Sequence, residues 1–357
     1  MGHPDLSRND RPPPIVLNLR AALRPTITGV ERWASELLPR LSALAPDRYV
    51  TLAPRPRARG RVSAQAWEQL ALPAQAARRR APIVFSPANL APLLWPRNVL
   101  MLHDAAVLRE PEAYSRAYRL WHERIGVACA RRALQILTVS DFARRELIEL
   151  AGLDPARVLV VHGGVDERFT PDADHRRAAR ELGLDRPYVL TVATADRRKN
   201  LSALTETARL LGQQGIELVW AGEDRPYFAP SDPIAGARTL GYVADEHLPG
   251  LYRGARAFVL PSRYEGLGLP CLEAMACGTP VVAANRAALP ETCGPAAVLV
   301  DPDDPQAVAS SVLRAASDES LRARLREAGL LRAAQHTWDR AARETDAVLQ
   351  RLALGAI

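Results

Sequence analysis

Residues 261–291 read Pro-Ser-Arg-Tyr-Glu-Gly-Leu-Gly-Leu-Pro-Cys-Leu-Glu-Ala-Met-Ala-Cys-Gly-Thr-Pro-Val-Val-Ala-Ala-Asn-Arg-Ala-Ala-Leu-Pro-Glu. The run just before it, Ala257–Leu260, is continuous and apolar, as a strand buried on both faces requires. The loop that follows carries Gly266 and Gly268, whose small, permissive backbone can come close to a ligand. Pro270 suits the first turn of a helix and Gly278 suits the residue past its end, so the spacing predicts a helix over Pro270–Cys277. Its N-terminus offers free N–H groups and the positive end of a dipole, which suits phosphate. Glu273 is expected in its first turn, where a carboxylate can accept both hydrogens of a vicinal diol such as that of a ribose. Glu265 stands on the loop, eight positions earlier.

Outward from this segment the chain alternates short β-rich runs with helical stretches. The expected strands are Ile15–Leu19, Tyr49–Ala53, Ile83–Ser86, Val99–Leu102, Ile136–Val139 and Val158–Val161, then Tyr188–Ala193, Glu217–Ala221, Ala257–Leu260, Pro280–Ala283 and Ala297–Val300. Helical patterns fall between them, for instance Val30–Leu44 and Asp141–Leu150, the second bounded by Ser140 and Gly152. Such alternation implies an α/β protein whose parallel sheets are covered by helices on both faces. The pattern runs twice, so two Rossmann-like domains are expected to face each other across a cleft that holds the site. The boundary is read in Phe169–Asp185, giving domains at 1–172 and 173–337. A last helix over residues 338–357 is open to packing on either domain, including back on the first of them.

Composition sets the outer limits. The chain has 357 residues, 48% hydrophobic and 24% charged, the balance of a soluble globular protein with roughly two domains. No apolar run approaches the roughly 20 residues of a membrane span. Met1–Pro14 is polar and Pro-rich, without the apolar core of a signal peptide, so the expected location is cytoplasmic. Cys129, Cys271, Cys277 and Cys293 form no Cys-x-x-Cys pair and are expected as small buried hydrophobes. The net charge of +7 is spread over clusters at Arg55–Arg61, Arg78–Arg80, Arg131–Arg132, Arg144–Arg145 and Arg322–Arg326. Aromatics are 5% and no nucleic-acid motif accompanies the charge, so the expectation is no nucleic acid. A peripheral contact with an anionic membrane at its inner face stays open alongside a merely solvated Arg-rich surface. Of 47 basic residues only one, Lys199, is lysine, which makes that position one to explain.

Extended over the Glu-Gly-Leu-Gly-Leu-Pro run and the following Glu-Ala-Met-Ala-Cys-Gly-Thr-Pro-Val-Val, the segment resembles the Glu-x7-Glu motif of the retaining, GT-B-fold glycosyltransferases of family 4, the "glycosyl transferases group 1" set. The resemblance covers most of the chain. It implies that Glu273 is the ribose ligand, and that Glu265 with the backbone of Gly266, Leu267, Gly268 and Leu269 holds the donor sugar and phosphate. Thr194–Leu201 resembles the family's Arg-Lys-Asn segment, which implies that Arg198 and Lys199 face the donor diphosphate; the family's more usual Gly is Ala193 here. Leu240-Gly241-Tyr242-Val243 resembles the stretch whose backbone reads the nucleobase, placing Tyr242 and Val243 at the donor. Gly29 resembles the small residue at a helix start beside the diphosphate, and His103, after the strand Val99–Leu102, the histidine at the reacting centre. Ser140 is expected to line the cleft, and Gly164-Val165-Asp166 to shape the hinge.

The implied activity is transfer of a hexose from a nucleotide diphospho-sugar to a saccharide or lipid-linked hydroxyl, with the nucleotide sugar as co-substrate and no cofactor. Two fixed cations would neutralise the leaving diphosphate in place of a metal. The Asp-x-Asp strings Asp172–Asp174 and Asp301–Asp303 lie in the linker and in a Pro-interrupted turn, so no metal site is expected. His103–Tyr118 resembles polysaccharide-type mannosyltransferases and favours GDP-mannose. A UDP- or dTDP-sugar on a small-molecule acceptor, or a non-catalytic nucleotide-binding subunit, are the alternatives. A phosphorylase would need a lysine for pyridoxal phosphate, and Lys199 is already assigned.

Overall fold

The computed structural model describes residues 13–23, 29–56, 60–223, 228 and 234–355. Most of Met1–Pro14, Thr28 and part of the Arg55–Arg61 cluster lie outside the described residues. Two parallel sheets of six strands each form the frame. In the first, β1 (Ile15–Asn18), β2 (Tyr49–Leu52), β3 (Val84–Ser86), β4 (Asn98–Leu102), β5 (Gln135–Thr138) and β6 (Val158–Val160) stand in the order β2-β1-β3-β4-β5-β6. In the second, β7 (Tyr188–Val192), β8 (Glu217–Ala221), β9 (Arg238–Gly241), β10 (Phe258–Leu260), β11 (Val281–Ala284) and β12 (Ala297–Val300) stand in the order β12-β11-β10-β7-β8-β9. In each, the order reverses beside the first strand of the set, and the crevice at such a point is where ligands of open α/β sheets bind. The chain is an α/β protein of two Rossmann-like domains facing a cleft, as its sequence pattern implied.

The central strands are buried on both faces and are built mainly of Val, Ile, Leu, Phe and Ala, with Met101 and the buried Asn18 and Asn98 among them. Strand β9 was not foreseen in the sequence. It is an edge strand, half-exposed, and Arg-Thr-Leu-Gly shows no apolar run. The charged stretch read as linker also differs: His175–Leu182 is a helix, opened by Asp174, whose carboxylate accepts from the Arg177 amide at 2.9 Å. A residue-by-residue preference for helix outweighed the polar composition there. All four cysteines are buried and free.

The chain crosses between the sheets twice, side by side. Val165 donates its amide to the His336 carbonyl at 3.0 Å, and Val165 and Thr337 form a parallel bridge. Beyond the second crossing the helix Trp338–Ala353 lies on the helix Gly29–Leu44. Trp338 meets Trp33 edge to face, centroids 5.1 Å apart, and both are almost fully buried. Gly163 and Gly164 make this crossing feasible: a Cβ at Gly163 would strike the Trp33 ring, and one at Gly164 would strike the backbone of Thr337 and Trp338.

A second tie is polar. The carboxylate of Glu291, from the second domain, caps the N-terminus of the helix Asp141–Ala151 in the first, accepting from the amides of Asp141 (2.8 Å) and Phe142 (3.0 Å). His162 Nε2 lies 3.3 Å from the same carboxylate. Burial works against the charge, but His162 and the two amides outweigh it and hold the Glu291 carboxyl below its ordinary value.

Two outcomes test this frame. Gly164→Ala, which forces backbone against backbone, should lower stability by about 2 kcal/mol or more. Gly212→Ala, near a helix end and with open space around its α-carbon, should raise it by up to about 1 kcal/mol. Paired denaturant titrations check both. Because the Glu291 carboxyl is depressed in the folded state, its contribution is present above the unfolded value of about 4.3 and is lost as pH falls. Glu291→Gln should therefore cost about 1 kcal/mol at pH 7, a gap that closes below about pH 4 in melts across pH.

Candidate functional site

A cavity of about 1180 Å³ lies between the carboxyl ends of the two sheets. Its wall includes Gly29, His103, Arg198, Lys199, Tyr242, Val243, Glu265, Gly266, Leu267, Gly268, Leu269 and Glu273, whereas Ser140, expected to line the cleft, is fully buried and stands behind that wall. The loop after β10 touches the first domain directly. A Cβ at Gly266 would collide with the His103 carbonyl at the end of β4. The Ser140 hydroxyl donates to the Gly266 carbonyl at 2.6 Å while accepting from the Ala143 amide at 3.0 Å, so it caps a helix of one domain and holds a loop of the other. The Leu267 side chain packs into the first domain's core, beside Trp33 and Trp338, and the Thr292 hydroxyl donates to the Leu267 carbonyl. Gly268 takes a φ of +94°, a backbone that favours glycine, and the helix begins at Leu269.

That helix runs Leu269–Ala276 with Gly278 at φ +71° just beyond it. It starts one residue earlier than expected, so Glu273 lies in the second turn, not the first. The Glu273 carboxylate is reached by the Tyr252 hydroxyl, which donates to Oε2 at 2.9 Å. Arg32 Nε, from the first domain, lies 3.9 Å from Oε1. Burial raises the Glu273 carboxyl above its ordinary value, and Arg32 and the Tyr252 hydroxyl oppose that rise.

Lys199 and Arg198 sit on a single turn, Arg197–Lys199, after β7. Asn200 follows at φ +53°, its amide donating to the carbonyls of Pro261 (3.3 Å) and Pro302 (2.7 Å), which fixes the turn against the site loop. Lys199 Nζ lies 2.7 Å from Glu265 Oε1, which also accepts from the Ser262 hydroxyl at 2.8 Å. Arg198 is buried; its Nε and Nη2 reach the Asp196 carboxylate at 3.2 and 3.3 Å. The two cations of the turn thus meet separate carboxylates.

His103 is buried against Trp33, edge to face, with its Nε2 3.0 Å from the Pro87 carbonyl. Burial lowers its pKa, with the Pro87 contact, Asp104 and Glu31 acting in the other direction. The carbonyl can only accept, so Nε2 carries the proton and a neutral ring keeps Nδ1 as an acceptor. Val243 is buried and Tyr242 is 53% exposed at the edge of the cavity. Gly29 opens the first helix, with nothing within 4 Å of where a Cβ would stand.

Asp301 and Asp303 are engaged at the surface by Arg263 and Arg286. Several clustered arginines are likewise occupied: Arg131 and Arg144 donate to the carbonyls of Ala151 and Val158 at 3.0 and 2.8 Å. Among the described residues no helix is long and apolar enough to cross a membrane.

Sequence reasoning missed Arg32, Tyr252 and Ser262. Arg32 bridges to Asp245 Oδ1 at 2.7 Å and keeps one buried nitrogen, Nη1, without a hydrogen-bond partner. Its place one turn into the helix after Gly29 was the available signal. Nothing in the local sequence marks Tyr252, which reaches Glu273 only through the packing of two helices.

Comparison with known proteins agrees with this architecture. Residues 27–169 match the family described as Glycosyltransferase Family 4, and residues 172–332 match Glycosyl transferases group 1. The chain is 33% identical over 267 residues to O-antigen chain mannosyltransferase B of Escherichia coli, covering 70% of this chain and 69% of that protein. It is 29% identical over 270 residues to serotype-specific mannosyltransferase WbdA of Escherichia coli, covering 71% of this chain but only 33% of that protein. The structure of Anabaena Alr3699/HepE in complex with UDP and glucose superposes with a TM-score of 0.71 at 18% identity, over 94% of this chain and 99% of that one, a likeness of fold. Two facing Rossmann-like domains, the matched families and these relatives lead to one conclusion: the chain belongs to the group 1, family 4 glycosyltransferases of GT-B fold.

Proposed function

We propose that this glycosyltransferase moves mannose from GDP-mannose to a saccharide hydroxyl with retention of configuration, in polysaccharide or glycoconjugate synthesis. The observation that carries the reading is the Lys199–Glu265 pair at 2.7 Å, on the same cavity wall as Gly266–Leu269 and Glu273. The donor domain is residues 173–337 and the acceptor domain residues 1–172, with the helix beyond residue 337 serving the latter. Glu273 Oε1 accepts from the ribose diol, the Tyr252 hydroxyl having taken Oε2. Tyr242 and Val243 lie along the base.

Breaking the glycosidic bond leaves charge on the β-phosphate. Lys199, Arg198 and the amides at the start of the Leu269–Ala276 helix neutralise it, with Gly29 allowing the first domain's helix start to approach. Glu265 holds Lys199 until the diphosphate arrives and then faces the sugar hydroxyls. His103 offers Nδ1 to the sugar beside the reacting carbon. The leaving phosphate oxygen takes the acceptor proton on the same face, so no protein nucleophile is required. The names of the two mannosyltransferase relatives support mannose and a polysaccharide acceptor. The cytoplasmic face of a membrane is the place where such an acceptor would be met, with exposed arginines such as Arg78–Arg80 as contacts.

The test is a donor screen. Purified protein is incubated with GDP-mannose and with UDP- and dTDP-sugars, with donor-dependent thermal shift and nucleotide release as readouts. GDP-mannose should give the largest of both; a preference for UDP- or dTDP-sugars overturns the donor assignment. Glu273→Ala should weaken donor binding by on the order of tenfold or more, since a charge-assisted hydrogen bond is worth about 1.5–3 kcal/mol. Lys199→Ala should chiefly lower kcat. Lys199→Arg should also fall short, because the wider guanidinium cannot sit as a point charge between phosphates. Wild-type turnover in both Lys199 variants would remove the lysine from the mechanism.

A further inference from the structure

The Arg198 guanidinium has two aromatic faces on it, one from each domain. Tyr114, on the loop after β4, lies 5.1 Å from it by ring centroid, and Phe228, from the second domain, lies 5.2 Å away. The two rings are 5.5 Å apart and tilted by 54°. The backbones of Tyr114 and Phe228 meet in an antiparallel bridge across the cleft. Behind Tyr114 the rings continue into the first domain: Tyr118 stacks on it at 5.3 Å with 6° between planes, and His122 stacks on Tyr118 at 4.3 Å. His122 opens a π-helical turn, His122–Gly126, a local irregularity that is frequent at functional sites.

A buried guanidinium with five donors is costly unless it is matched. Asp196 satisfies two of its nitrogens, the Asp104 and Glu265 carboxylates add attraction at longer range, and the ring faces contribute through their quadrupoles. Asp196 stands on the same turn as Arg198, two residues before it, and is tied to it by hydrogen bonds from the Arg198 amide and Nε. Tyr114 belongs to the other domain, so any change in the width of the cleft would move its ring relative to Arg198.

We infer that Tyr114 is a positioning residue that completes the clamp on Arg198 when the cleft closes, so that this cation is fixed for the leaving diphosphate only in the closed enzyme. The inference rests on the reading of Arg198 as a diphosphate-facing cation. It assigns the ring column Tyr114–Tyr118–His122 as the support of that clamp.

The test compares Tyr114→Leu, Tyr114→Phe and Phe228→Leu, each alone and with Arg198→Gln. Turnover is read as nucleotide release with GDP-mannose, and donor binding as thermal shift with GDP alone. Tyr114→Leu should lower kcat by on the order of tenfold with the GDP response within about twofold of wild type. Tyr114→Phe, which keeps the ring, should recover most of that loss, and Phe228→Leu should lower kcat in the same direction from the other side of the clamp. With Arg198→Gln in place, Tyr114→Leu should cost little more, because no cation is left to position. A Tyr114→Leu penalty equally large in both backgrounds, or none while Arg198→Gln is impaired, overturns the clamp and leaves the proposed function standing. Wild-type turnover by Arg198→Gln overturns both the clamp and the role given to Arg198.

Discussion

The structure depends on one close contact: the backbone of Gly266 against the carbonyl of His103. It joins the end of a strand in one sheet to the loop leaving a strand in the other, with no room for a side chain between them. Around it the Ser140 hydroxyl fastens the Gly266 carbonyl and Leu267 enters the first domain's core. The residues with chemistry to offer, Glu265, Lys199, Glu273 and His103, are grouped around that point because the chains on which they stand touch there.

Charge in the cleft is arranged in pairs. Lys199 meets Glu265, Arg198 meets Asp196, and Arg32 meets Asp245 with Glu273 beyond. Partly buried charges are tolerated because each has an opposite nearby. On the proposed reading, an entering diphosphate brings negative charge into this set and draws Lys199 away from Glu265. The carboxylate so released becomes available to sugar hydroxyls. Binding and preparation for chemistry are then one exchange of partners.

The sheets were legible because strands buried on both faces are written as unbroken apolar runs such as Phe258–Leu260 and Val281–Ala284. The edge strand Arg238–Gly241 was not, since an edge needs no such run. The site loop was legible because Gly266, Gly268 and Pro270 sit within a few residues and each has a backbone reason to be there. The turn of Glu273 was misplaced by one residue of helix start, enough to move it from the first turn to the second. Arg32, Tyr252 and Tyr114 act through partners far away in sequence, and no local pattern encodes such a meeting. The same holds for Leu267: its neighbours place it on the site loop, while its side chain belongs to the other domain's core.

The helix Trp338–Ala353 covers Trp33 in the first domain although a whole second domain intervenes between them. A ribosome making this chain delivers Trp33 about 300 residues before the surface that buries it. During that interval the Gly29–Leu44 helix has an uncovered apolar face, while the second domain can complete its own core on schedule. The first domain is therefore started first and finished last. A nascent chain halted before Trp338 would carry a folded second half and a first half open to solvent, chaperone or aggregation.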